Sequence, residues 1–210
     1  MSMTVPVLSK LETTSDVAAI FSGNHLSVAQ VDGILRIDDL EINLPPLTSL
    51  FETQFGDIIV GSRDGLHIIR EGGQIKFVEF LSGIESITGK GDYCVAIDGL
   101  SKAHIVNSSG DLAPILVNSV SMVAIGDSIA IATDSGEVMT YSTDSSKIWQ
   151  RPVRGEVGER ITAIGWDGQT LIVAREGHGL VPGEEEALEV EFWKNENLER
   201  RIDTKSRVIS

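Results

Sequence analysis

Val17-Ala18-Ala19-Ile20 opens a phrase of sequence that the chain then repeats. The apolar entry is followed by an apolar run at residues 26–29, which ends on a small residue, and then by the pair Asp32-Gly33. Asp and Gly tolerate the positive φ of tight hairpin turns, so the phrase predicts antiparallel strands joined by a short turn. Four further copies begin at residues 47, 84, 120 and 161.

The copies of the repeat are similar in length and in their pattern of apolar, small and turn residues. Its small residue recurs at positions 29, 61, 96, 132 and 174, at intervals of 32, 35, 36 and 42 residues. The second strands are apolar on both faces, which indicates a sheet that is covered on each side. They are predicted at residues 26–29, 58–61, 93–97, 129–132 and 171–174, the third strands at 34–37, 66–69, 103–106, 138–141 and 187–193, and the more polar fourth strands at 40–44, 74–80, 113–117, 147–153 and 198–203.

Four short strands per copy and no helical stripe predict an all-β fold of about five four-stranded antiparallel units. The units lie near residues 17–46, 47–83, 84–119, 120–160 and 161–205, within one domain over residues 1–210. This period is typical of propeller blades. The chain resembles the WD40-like β-propeller superfamily in this rhythm from Val17 to Asp203, although the signature dipeptides are absent as a regular pattern and Trp166-Asp167 is the only Trp-Asp. The resemblance implies a toroid of blades that mostly serves as a rigid platform for protein partners, with a minority of enzymes and ligand binders.

Two end segments look like parts of a further blade. Residues 5–11 resemble an outer strand without its blade, and residues 206–209 resemble an entry strand without its continuation. Because exposed sheet edges must be closed or capped, they suggest closure by the termini, by a missing C-terminal remainder, or by pairing with a second copy of the chain.

Charge and composition limit the classes of partner that the protein is expected to bind. The net charge of −14, from 31 acidic and 17 basic residues, repels phosphate backbones and anionic membrane surfaces, so neither nucleic acid nor a membrane is the expected partner. The single cysteine, Cys94, lies in an apolar run and is predicted to be a core residue. The N-terminus lacks a secretory pattern, which predicts a cytoplasmic protein.

The sequence matches no motif for catalysis or for cofactor binding. Residues 83–91 are glycine-rich, but five residues separate Gly83 from Gly89 and Gly91 stands where a P-loop needs a hydroxyl. The four histidines, His25, His67, His104 and His178, lack the spacing of zinc ligands. We therefore predict no catalytic residue, no cofactor and no metal.

The fifth copy departs from the others. Its connection between the second and third strands grows into an insertion at residues 175–186 with glycines, a histidine, apolar residues and carboxylates. Insertions in repeat proteins lie on one face and often bind partners. The predicted partner-binding residues of this insertion are His178, Leu180, Val181, Glu184, Glu185 and Glu186.

Trp193 is the remaining candidate for a partner contact. Alternation along residues 187–193 places it on one face with Glu189 and Glu191, so we expect the indole to point outward or to be half-buried. Together these features predict a non-enzymatic protein-interaction scaffold. The alternatives are a site for a small molecule or carbohydrate in the central channel, which includes carbohydrate hydrolysis, and a structural propeller that forms oligomers.

Overall fold

A computed structural model describes residues 12–70, 72–152, 159–178 and 186–209. These residues form twenty strands in five separate four-stranded antiparallel sheets, each ordered as in the sequence. The strands are β1 (Val17–Ser22), β2 (Leu26–Gln30), β3 (Ile34–Ile37) and β4 (Leu40–Asn43) in blade 1; β5 (Leu47–Glu52), β6 (Ile58–Ser62), β7 (Gly65–Ile69) and β8 (Ile75–Glu79) in blade 2; β9 (Ile84–Lys90), β10 (Tyr93–Asp98), β11 (Ala103–Asn107) and β12 (Leu112–Pro114) in blade 3; β13 (Val120–Ile125), β14 (Ile129–Thr133), β15 (Val138–Tyr141) and β16 (Lys147–Gln150) in blade 4; and β17 (Arg160–Asp167), β18 (Thr170–His178), β19 (Glu186–Lys194) and β20 (Asn197–Asp203) in blade 5. The predicted all-β architecture of five four-stranded units is confirmed.

The first strand of every blade carries a β-bulge at the same place. In blade 1 the partners are Val17 with Gln30 and then Ala19 with Ala29, so the first strand holds one extra residue. Equivalent shifts occur in the other four blades. A bulge at this point increases the local twist of the strand. The five blades therefore share this bulge in register, although they differ in length.

The register corrects one position of the predicted repeat. In blade 3 the bulge lies beside Ile97, which pairs with Ser86, and not beside Ala96, which pairs with Ile87. Ala96 packs in the core shared with blade 2, whereas Ile97 packs in the core shared with blade 4. The prediction followed the small residue, but in blade 3 the position beside the bulge holds Ile97, and the alanine lies one residue earlier.

Four hydrophobic cores lie between consecutive blades. Leu35 and Val60 belong to the core between blades 1 and 2, and Ile131 and Val95 to the one between blades 3 and 4. The first strands of neighbouring blades also contact one another in chain order. Within the described ranges, none of the four clusters joins blade 5 to blade 1. The blades are therefore held together face to face by burial of Val, Ile, Leu and Ala side chains.

The two end blades each present a face that does not pack on another described blade. On blade 5 that face carries the half-buried Ile172, Val190 and Phe192, and the Arg200 guanidinium lies 5.8 Å from the Phe192 ring centre. On blade 1 the Gln30 side chain accepts hydrogen bonds from the backbone N–H groups of Thr14 and Ser15, at 2.9 and 3.3 Å.

The two predicted end strands have different outcomes: one prediction is wrong, and the other concerns residues that the structure does not describe. Residues 206–209 form no strand, and residues 5–11 fall in the part of the chain that is not described. The insertion in blade 5 is partly strand, because β18 continues to His178 and β19 begins at Glu186, where these two residues pair. Blade 5 is thus a longer hairpin than its neighbours.

Candidate interaction site between blades 4 and 5

A pocket of about 210 Å³ opens between blades 4 and 5 at the end where the first and second strands of each blade are joined. It is called the aromatic pocket below because three indole rings line it, those of Trp149, Trp166 and Trp193. Its other lining residues come mostly from turns and are Asp127, Ser128, Thr140, Ile148, Gln169, Asn195 and Glu196. Among the described residues, the lining contains two carboxylates and no lysine, arginine or histidine.

Close packing holds the three rings. Trp149 and Trp193 have ring centres 5.1 Å apart at an interplanar angle of 52°. Trp166 donates its indole N–H to the carbonyl of Ala124 at 3.3 Å and lies directly over Gly126, where an added Cβ would be 2.3 Å from the ring. A residue with a side chain at position 126 would push the indole out, so glycine is what allows this ring position.

Trp193 is more buried than the sequence predicted, with 8% of its surface exposed. The prediction of an outward or half-buried ring is wrong, although its grouping with Glu189 and Glu191 on one face is right. That face packs against blade 4, since Trp193 shares a hydrophobic core with Ala130 and Val138 of that blade. Replacing Trp193 by alanine should therefore lower the free energy of unfolding by about 3–5 kcal/mol, measured by urea titration.

The buried arginines and glutamates form one ion network behind the rings. Arg151 donates through Nε to Glu191 Oε2 at 2.7 Å and through Nη2 to Glu159 Oε1 at 2.7 Å. Arg175 donates to Glu189 Oε2 at 2.8 Å and to Glu159 Oε1 at 3.2 Å. Both guanidinium groups are only 1% exposed. Full hydrogen bonding is what makes such charges tolerable in a core.

The network also positions Trp193. Its indole N–H donates to Glu191 Oε2 at 2.9 Å, and the Glu191 side chain is completely buried. Burial by itself would raise the pKa of Glu191, but the hydrogen bonds and positive charge of Arg151 outweigh it and hold that pKa below its ordinary value. The sequence did not predict this network, and its one local signal is the alternation that places Glu189 and Glu191 on the same face of β19.

The structure separates the predicted partner-binding residues. Trp193 lies near one end of β19, while His178 and Glu186 pair at the other end. The seven residue-to-residue steps from Glu186 to Trp193 span roughly 23 Å of strand. Leu180, Val181, Glu184 and Glu185 lie outside the described residues. His178 and Glu186 therefore do not form one continuous site with Trp193.

The other chemical groups considered from the sequence have structural partners. His67 is 6% exposed and lies 3.1 Å from Ser62 Oγ, and burial lowers its pKa. His104 Nε2 lies 3.0 Å from Asp98 Oδ2. Cys94 is fully buried, which raises the pKa of its thiol to about 12. Among the described residues, no three side chains of histidine, cysteine, aspartate or glutamate are grouped to hold a metal ion, and no helix is long and apolar enough to cross a membrane.

Solved structures resemble this chain, whereas no protein-family model and no curated protein matches it. BBS1N in its crystal structure with ARL6DN is 18% identical, with a TM-score of 0.65 over 92% of this chain and 68% of that chain. A chain in the S. cerevisiae structure of Dbp5 bound to Nup159, Gle1, IP6 and ADP is 12% identical, with a TM-score of 0.59 over 90% and 57%. BamB from Moraxella catarrhalis is 15% identical, with a TM-score of 0.57 over 90% and 61%. These are β-propeller proteins, and the five sheets described here have the WD40-like β-propeller fold that the repeat rhythm predicts.

Proposed function

We propose that this chain is a non-enzymatic protein-interaction platform that binds a basic segment of a partner protein in the aromatic pocket. The observation that carries the proposal is the lining of that pocket, in which three indole rings adjoin the carboxylates of Asp127 and Glu196 without a cationic side chain. Aromatic rings and carboxylates are the groups that attract arginine and lysine. The two structural neighbours named with partners, BBS1N with ARL6DN and the Dbp5–Nup159 complex, support a role in assembly.

The physical features of the pocket suit a peptide contact. Trp149 and Trp166 are half-buried and Ile148 is 51% exposed, so aromatic and apolar surface remains available at the rim. Large rings held by their surroundings lose little conformational entropy on binding, which is why they are frequent binding hot spots. The net charge of −14 would also steer a basic partner toward the molecule.

The test uses a nine-residue peptide of alternating arginine and glycine, with a glutamate-glycine peptide of the same length as its counterpart. We expect the arginine peptide to shift the indole N–H signals of Trp149 and Trp166 in an NMR titration, and the glutamate peptide to leave them unchanged. Changing Asp127→Asn and Glu196→Gln together should weaken binding about tenfold, or about 1.4 kcal/mol.

The matched control removes two exposed carboxylates elsewhere, by Asp39→Asn and Glu79→Gln. This control variant has the same net charge as the pocket variant, so general attraction of the peptide falls equally in both. Equal affinity of the two variants for the arginine peptide would contradict the proposal, and so would the absence of any indole shift in the parent.

A further inference from the structure

A second pocket of about 340 Å³ lies at the ends of the first strands of blades 1, 2 and 3. It is called the axial pocket below, because the first strands of neighbouring blades face one another along the inside of the array. Its lining comes from β1, β5, β9 and the turns that follow them, and consists of Phe21, Gly23, Asn24, Phe51, Glu52, Thr53, Gln54, Gly89, Lys90 and Gly91. It shares no lining residue with the aromatic pocket.

Glu52 is the unusual member of this lining. It is only 4% exposed, and its Oε2 accepts a hydrogen bond from the backbone N–H of His25 at 3.2 Å. Its Oε1 is buried and has no hydrogen-bond partner among the residues that the structure describes. The carboxylate also lies tightly against the turn after β1, since a Cβ at Gly23 would be 2.4 Å from Oε2. Burying a carboxylate oxygen without a partner is costly, because the hydration that it loses is not replaced.

Two side chains near Glu52 that could carry positive charge, those of Lys90 and His25, contact other groups. Lys90 lines the pocket, but its ammonium donates to the carbonyl of Gly126 in blade 4 at 3.1 Å. The His25 ring lies 2.8 Å from Asp38. Among the ion pairs of the described residues, none includes Glu52. The buried carboxylate therefore lacks a counter-ion from the described part of its own chain.

The rest of the lining indicates which cation would fit. Phe21 and Phe51 meet edge to face with ring centres 5.7 Å apart, and both rings border the pocket. Aromatic rings attract organic ammonium groups, and the amide oxygens of Asn24 and Gln54 are acceptors for ammonium hydrogens. Metal sites in proteins usually combine several carboxylate, imidazole or thiolate ligands, and among the described lining residues Glu52 alone carries such a group.

We propose that the axial pocket binds an organic ammonium group, with Glu52 as its counter-ion. The terminal torsion of a glutamate side chain is broad, so a small rotation turns Oε1 toward the pocket when the cation enters. The volume accommodates an alkyl chain of several carbons beside the two phenylalanine rings. The ammonium comes from a free amine or from a lysine side chain of another protein, and these two sources share the same chemistry.

The test titrates the protein with three probes and follows the backbone amide signals of Gly23, Gly89 and Gly91 by NMR. The probes are n-butylammonium, n-pentanol as a neutral molecule of similar size, and N-acetyl-lysine methylamide. We expect both ammonium probes to shift these signals and pentanol to bind at least about tenfold more weakly. Tighter binding of the lysine derivative than of butylammonium would identify a protein segment as the source, and the reverse would identify a free amine.

Glu52→Gln is the decisive variant, because glutamine keeps the acceptor for the His25 N–H and removes the charge. Its affinity for butylammonium should fall at least about tenfold, while Glu79→Gln, which removes an exposed carboxylate, should bind like the parent. If Glu52→Gln does not fold, Phe21→Leu replaces it and should weaken binding by removing one ring. Parent-like binding by the folded Glu52→Gln variant, or equal binding of pentanol and butylammonium, would overturn the proposal. Neither result depends on the aromatic pocket, so the Asp127/Glu196 variant should bind butylammonium as the parent does.

Discussion

Replacing Arg151 by methionine is expected to lower the free energy of unfolding by about 3–5 kcal/mol. Methionine retains much of the volume of the arginine stem but removes both hydrogen bonds to Glu191 and the one to Glu159. Glu191 then keeps the Trp193 indole N–H and, at 3.7 Å each, the more distant guanidinium groups of Arg175 and Arg201. A buried carboxylate that loses its main partner is costly because water cannot replace that partner.

Urea unfolding of Arg151→Met and of a surface counterpart would measure this difference. Arg207→Met removes a pair with Glu176 in which the arginine side chain is 42% exposed, so its effect should be about 0–1 kcal/mol. If the two variants lost similar stability, the ion network would not contribute as the geometry indicates.

The pH dependence of Arg151→Met has a definite sign. In the parent protein the pKa of Glu191 is lower in the folded than in the unfolded chain, so its contribution to stability is present above the unfolded value. That contribution is lost as the pH falls through the lower, folded value. In the variant, burial is no longer offset by Arg151, and protonation of Glu191 relieves the cost. The difference in unfolding free energy between the two proteins should therefore shrink between about pH 7 and about pH 4.

Replacing Gly33 by alanine is expected to lower the free energy of unfolding by about 3 kcal/mol or more. Gly33 has φ of +101°, a conformation that residues with a Cβ rarely adopt. In addition, a Cβ at this position would be 2.0 Å from the carbonyl oxygen of Leu44, which is main chain and cannot rotate away. The backbone of blade 1 would have to move, which disturbs the hydrogen bond from Leu44 N–H to Gly33 C=O.

Gly72→Ala is the matched control for this variant. Gly72 has φ of +89°, but nothing lies within 4 Å of a Cβ added there. It therefore isolates the cost of the backbone conformation, which is about 1 kcal/mol for a non-glycine residue in the left-handed region. Thermal and urea unfolding should place Gly33→Ala well below Gly72→Ala. Equal stability of the two would mean that the close approach to Leu44 is easily relieved.

Much of the fold followed from local sequence. The third strands of blades 1 and 4 are predicted to the residue, at Ile34–Ile37 and Val138–Tyr141, because their alternation and their turns are local signals. The fourth strands of blades 1 to 4 are shorter than predicted, as in Leu112–Pro114, since an outer strand has a partner on only one side and its end is set by that partner. The register of blade 3 was missed because the position beside the bulge holds Ile97 there, whereas a small residue holds it in the other four blades.

The candidate site was harder to predict from the sequence than the fold was. Trp193 was identified as a notable aromatic residue, and it does line the aromatic pocket, but its burial was predicted wrongly. Glutamates on the same face of a strand as a tryptophan usually indicate that this face is exposed to solvent. Here Arg151 lies 40 positions away from Glu191 in the sequence and reaches it only when blades 4 and 5 are stacked.

The amino-acid sequence by itself determined the repeat, the antiparallel strands and the all-β propeller class, because side-chain alternation and turn residues act over a few neighbouring positions. Only the tertiary structure decided which polar groups are buried and which of them are paired. Glu191 and Glu52 both lie in strands beside apolar residues, yet among the described residues the first has arginine partners and the second has an oxygen without a hydrogen-bond partner. That difference arises from contacts between blades, which depend on how the sheets stack and not on the residues beside each glutamate.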